Sequence, residues 1–231
     1  MKPSSLSSPA SHANQLLTIG GWMLLIAVAS RFIIQDALPY FAGTQEALGW
    51  WWEDKWSLLG HIVGGLLALV LGPFQFWKGF REKYLRVHRL LGKGYVIAIV
   101  LGALSATYLA WTSGLRESFA WAFALQVLAA VWIGSTAMAY FSIRRRDISR
   151  HRTWMIRSYV ITFAFVIFRA LSEMTFLREA IPFLDSGSHR LWVSWTLPLL
   201  ITELVLRWLR AKRKRMPEPL APEIPRESTM Y

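Results

Sequence analysis

Six long apolar runs, separated by polar and charged clusters, set the pattern of this chain. A helix crosses the hydrocarbon of a bilayer in roughly 20 mostly apolar residues. On that template the runs predict spans at Leu16–Leu38, Ser57–Trp77, Tyr95–Trp111, Phe119–Ile143, Trp154–Met174 and Leu191–Trp208. The third is the shortest, and its start reaches back toward Leu90. The expected fold class is an all-α membrane protein with six transmembrane helices in a bundle. A polar, Ser- and Pro-containing leader (residues 1–15) precedes the six-span region (16–210), and a basic, then Pro-rich, disordered tail (211–231) follows it. No convincing small-residue cleavage site follows the first run, so the reading is a retained span and not a cleaved signal peptide.

The stretch from His61 to Tyr95 has the form of a hairpin. An apolar run carries a histidine in its first turn, closes on Gly72-Pro73 and Gln75, and passes through a short basic loop. His88-Arg89 then stands at the mouth of the next run. The pattern recurs after Ile143, where Arg144-Arg145-Arg146-Asp147 leads to His151-Arg152 and a further run. Tyr95 and Tyr159 follow their histidines by seven and eight residues, which keeps each pair roughly on one helix face.

Charge fixes the expected orientation. Six Lys/Arg fall between Lys78 and Lys93, five between Arg144 and Arg152, and six between Arg207 and Arg215. The alternate loops hold only Lys55, Arg116, Arg178 and Arg190, with acids among them. Positive residues remain on the cytoplasmic side during insertion, so both termini are expected there, in a bacterial inner (plasma) membrane. The net charge of +12 therefore reflects topology, and no nucleic-acid motif accompanies it. A chain without cysteine has no disulfides, thiolate metal sites, iron–sulfur clusters or attached c-type haem. Trp50-Trp51-Trp52 and Trp56 place the loop before span two at the headgroup layer. Gly60 and Gly64 have GxxxG spacing, which lets another helix backbone approach closely, or leaves room for a flat cofactor.

Ionisable residues inside spans are functional candidates. His88 and His151, both at cytoplasmic helix starts, are read either as ligands of one metal or haem iron or as headgroup-level polar residues. Arg89, Arg152 and Arg157 are candidate partners for haem propionates, and Tyr95 and Tyr159 for a bound headgroup, with ordinary packing as the alternative. His61, near the outer end of span two, falls at the depth of Arg31, Asp36, Arg169 and Glu173. These form an expected outer polar cluster, which holds a quinone headgroup, a second cofactor or a relayed proton, or serves only as an interhelical ion pair. An i,i+4 pair between Arg169 and Glu173 is permitted. Glu203 is expected to balance Arg157 or Arg207, with a proton-relay role as the alternative. No hydrolase elbow, Walker loop, dinucleotide glycine pattern or HExxH is present.

The motifs His61 to Gly65, Gly72-Pro-Phe-Gln-Phe76, His88-Arg-x-x-Gly-x-x-Tyr95 and His151-Arg-x-Trp-Met-x-Arg-Ser-Tyr159 resemble those of a family of predicted bacterial integral-membrane proteins known only as a domain of unknown function. That resemblance, over about Trp22 to Trp208, implies a topology and a list of site residues but no reaction. The bundle is also similar in architecture to membrane b-type cytochromes of the cytochrome b561 and ferric-reductase kind. This likeness implies haem b between His88 and His151, and a redox protein passing electrons across or within the membrane, with a quinone or electron-transfer partner. The alternatives are a binding or proton-coupled transport protein for an anionic solute or lipid headgroup, and a structural membrane subunit.

Overall fold

The computed structural model describes residues 9–215, and among them every regular element is helical. The long helices are α1 (Pro9–Phe32), α3 (Lys55–Phe76), α5 (Leu85–Leu109), α7 (Phe119–Arg144) and α11 (Gly187–Arg215). A sixth long segment is broken into α8 (Ile148–Thr162) and α9 (Ala164–Glu173). Short helices connect them: α2 (Gln45–Leu48), α4 (Lys78–Lys83), α6 (Leu115–Glu117) and α10 (Thr175–Ala180). Two π-helical turns, Ile33–Ala37 and Ala110–Gly114, prolong α1 and α5.

Among the described residues five stretches are long and apolar enough to cross a membrane: Thr18–Ala42, Gln45–Phe76, Leu85–Glu117, Phe119–Arg144 and Ile148–Glu173. α11 has the length, but Glu203 and Arg207 interrupt its apolar stretch. The third helix begins at Leu85, ten residues before the expected start, because the basic loop winds into it. His88 and Arg89 therefore fall in the first turns of the helix, at its basic end. The expected disordered tail falls mainly outside the described residues, although helix continues through Arg215.

The α3–α5 hairpin is the tightest contact. A Cβ on Gly64 would lie 2.5 Å from the Ala98 carbonyl oxygen and 2.6 Å from the Gly102 nitrogen. Gly64 and Gly102 therefore let the two backbones touch, as the GxxxG spacing leads one to expect. Gly72 performs the same service for a ring: its Cβ would sit 2.0 Å from Tyr159. The core so formed includes Ala68, Tyr95, Ile99, Trp132 and Leu191. Outward faces are apolar, with Ile97 68% and Leu104 62% exposed, as suits a chain whose solvent is lipid.

A chain of hydroxyls ties the middle of the bundle. Thr136 Oγ1 donates to the Trp132 carbonyl (2.8 Å), so Ser158 Oγ donates to Thr136 (2.7 Å) and the Tyr95 hydroxyl to Ser158 (2.9 Å). Thr162 donates back to the Ser158 carbonyl (3.0 Å) and accepts from Trp132 Nε1 (3.0 Å). Back-bonding of this kind bends helices, and the break between α8 and α9 follows at Phe163. Tyr95→Phe is expected to lower stability by about 1–2 kcal/mol, since it removes one buried donor and leaves the remaining hydroxyls paired. Detergent unfolding titrations check this.

Candidate functional site

The two histidine-bearing helix starts lie at the end of the bundle that carries the basic loops. The turn between α7 and α8 is compact because Arg146 takes a left-handed conformation (φ 61°) and Asp147 caps α8, accepting from the Arg150 N–H at 2.9 Å. This places His151 one turn into α8, where its Nδ1–H donates to the Ala139 carbonyl of α7 at 2.9 Å. His88, from α5, lies close enough to interact electrostatically with His151, Arg81 and Arg89. Its Nδ1 is buried and has no hydrogen-bond partner. Gln75 comes to the same region from α3. Its Oε1 lies 3.1 Å from where Gly92 would carry a Cβ, and its Nε2 is buried without a partner. Arg89 and Arg152 are exposed at this end.

Three other expected site residues are committed elsewhere. Arg157 forms a two-point ion pair with Glu203 of α11 and stacks over Trp154 at 4.2 Å. The Tyr95 hydroxyl belongs to the internal hydroxyl chain. The Tyr159 hydroxyl donates to the Leu69 carbonyl at 3.1 Å.

At the opposite end a cavity of about 170 Å³ lies between α3, α7, α8, α9 and the π turn after α1. His61 reaches it from α3, with Nδ1 3.0 Å from the Gly102 carbonyl. A carbonyl only accepts, so Nδ1 carries the proton and the neutral ring presents Nε2 as an acceptor. Phe165 and Trp132 meet the imidazole edge-on, at 5.6 and 6.4 Å between centroids. Asp36, Tyr40 and Arg169 also line the cavity. Arg169 is 3.7 Å from Asp36 Oδ1 and donates to the Tyr40 hydroxyl at 3.3 Å. Asp36 Oδ2 is buried and unpartnered.

The expected outer cluster thus assembles, with different partners. Glu173 pairs with Arg31 of α1 and not with Arg169 one turn away, because Arg169 turns to Asp36. His189 takes no part: it stacks on Phe183 at 4.2 Å and donates to that residue's own carbonyl. Sequence reasoning missed the buried Asp54, which accepts from Ser113 and Arg116 across to the second π turn. It also missed Gln75 as a site residue, although the motif that carries it was in plain view.

Among the described residues no group of three or more His, Cys, Asp or Glu is placed to hold a metal ion. What the fold and its two polar ends define is a multi-pass helical membrane protein with imidazoles held in its bundle. The chain belongs to a family described as predicted membrane protein (DUF2306), which matches residues 58–206 and so takes in both histidine hairpins. No curated protein and no solved structure matches it.

Proposed function

We propose that this is a six-span bacterial inner-membrane protein with both termini cytoplasmic, and that its basic end holds haem b between His88 and His151. The sixth span is α11, whose outward residues Leu197, Leu200, Ile201, Leu204, Val205 and Trp208 are all exposed and apolar. The orientation rests on the basic loops, which share one end with both imidazoles.

The observation that carries the haem reading is that His88 and His151, from two different hairpins, lie within electrostatic reach of each other. Histidines that ligate metals characteristically donate their other ring N–H to a backbone carbonyl, which fixes the tautomer and aims the ligating nitrogen. His151 makes that bond to Ala139, and the Nδ1 of His88 is buried without a hydrogen-bond partner. His151 so keeps Nε2 for a ligand and His88 has an unpartnered ring nitrogen, and imidazole is an established axial donor to haem iron. The orphaned Gln75 amide supplies a further polar contact, and exposed Arg89 and Arg152 suit propionates. Arg157 is left out of the set, because Glu203 already occupies it. Bound haem would supply one-electron chemistry; the chain's own part is to hold the two rings in register and to keep positive charge beside them.

The test is spectroscopic. Protein purified in detergent from haem-sufficient cells is expected to show a Soret band that shifts on dithionite reduction. The band is expected to disappear in both His88→Ala and His151→Ala but to persist in His61→Ala. A colourless, folded preparation that does not respond to added haem sinks the reading. A second reading, capture of anionic lipid headgroups at this end, is favoured by the exposed basic residues from Arg144 to Arg152. It predicts thermal stabilisation by anionic lipid that is lost in Arg152→Ala.

A further inference from the structure

We propose that the cavity around His61 is a binding site for a monocyclic phenolic ring of the hydroquinone class. This site is separate from the haem reading and stands or falls without it.

Size sets the first limit. A dry apolar cavity of about 150 Å³ accepts benzene, so about 170 Å³ takes one six-membered ring and its substituent atoms. A macrocycle does not fit. The walls are those of a ring site: Phe32, Trp51, Trp121, Trp132 and Phe165 surround the space with aromatic faces and edges.

Hydrogen-bonding chemistry sets the second. The His61 Nδ1–H is spent on the Gly102 carbonyl, so the imidazole can only accept from an occupant, through Nε2. A ligand that donates an O–H there satisfies it, whereas a ketone or an ether cannot. Arg169 offers N–H groups beyond those facing Asp36 and Tyr40, and the Asp36 carboxylate keeps one oxygen without a partner. This pair provides a donor and an acceptor for a second ring oxygen. A metal is a poor occupant, because His61 belongs to no cluster of three ligating side chains among the described residues.

Gly65 makes the site testable. It lines the cavity, and a Cβ built on it meets nothing within 4 Å. Gly65→Leu therefore adds bulk at the cavity wall from a Cβ position that clashes with nothing. The experiment titrates para-heptylphenol, and separately its methyl ether para-heptylanisole, into the full chain in detergent. Binding is read as saturable quenching of tryptophan fluorescence. The phenol is expected to bind at least tenfold more tightly than the ether. Gly65→Leu and His61→Phe are each expected to lose at least tenfold in phenol affinity while keeping the wild-type helical circular dichroism. Equal quenching by phenol and ether, or quenching unaffected by Gly65→Leu, overturns the proposal. If His61→Phe fails to fold, the Gly65→Leu result and the phenol-to-ether ratio decide it alone.

Discussion

Gly64→Ala is expected to destabilise the bundle by about 3 kcal/mol, the upper part of the range for overpacking a well-filled core. The same substitution at the neighbouring Gly65 is expected to be neutral or stabilising, by up to about 1 kcal/mol. The opposite signs follow from what each new methyl meets. At Gly64 the obstacles are the Ala98 carbonyl oxygen at 2.5 Å, the Gly102 nitrogen at 2.6 Å and the Gly102 Cα at 2.7 Å. All three are backbone, so no rotamer change relieves the clash, and α3 must move away from α5 along its length. At Gly65 the methyl enters open cavity, and replacing a helix-interior glycine removes an entropic penalty of about 0.5–1 kcal/mol. Unfolding midpoints in a denaturing-detergent titration measure both. Equal effects at the two positions would mean that the hairpin is not packed backbone to backbone at Gly64.

That hairpin was largely legible in the sequence, because spacing alone puts Gly60 and Gly64 on one face. Its partner was not. Nothing in the chain says that Gly102 and Ala98 are what Gly64 touches, since helix rotation depends on the packing of the whole bundle. The same limit explains the far end. Depth along the membrane normal, countable at 1.5 Å per residue, brought Arg31, Asp36, His61, Arg169 and Glu173 into one neighbourhood. The pairing within it required azimuth. α1 presents Arg31 to Glu173, and the π turn that follows shifts the register and carries Asp36 to Arg169. The break at Phe163 had no proline or glycine to announce it. It arises from Thr162, whose hydroxyl is held between Trp132 and the Ser158 carbonyl, a tertiary arrangement. Asp54 was hidden for a related reason. It follows three tryptophans and a glutamate that read as headgroup-level sequence, and only the π turn at Ala110–Gly114 brings Ser113 to it.

The two ends use imidazole in the same way. In His61, His151 and His189 the Nδ1 atom faces a backbone carbonyl. What differs is the surroundings: a largely aromatic cavity with Asp36 and Arg169 on its wall at His61, electrostatic reach of a second imidazole at His151, and a stacked Phe183 ring at His189. Chemistry in this bundle is therefore assigned by surroundings more than by residue type, which is why five histidines in the sequence carried so little discrimination.

Removing either partner of the Arg157–Glu203 pair is expected to cost about 3–5 kcal/mol, because each leaves a largely buried charge uncompensated. The two side chains are only 18% and 26% exposed and meet through two contacts, Nη2 to Oε2 at 3.0 Å and Nε to Oε1. The guanidinium is further held over Trp154. Arg157→Met and Glu203→Leu are therefore each strongly destabilising, while the double variant is expected to recover most of the loss, since a well-packed apolar pair of similar volume replaces a buried ion pair at little cost. The same cycle tests where α11 lies. An ion pair facing water is screened by salt, with a Debye length of about 10 Å at 0.1 M and 3 Å at 1 M, whereas one enclosed between helices in hydrocarbon is not. A coupling free energy measured in reconstituted protein that stays constant between these salt concentrations supports α11 as the sixth span. A coupling that collapses at high salt would put Glu203 in water and remove α11 from the bilayer.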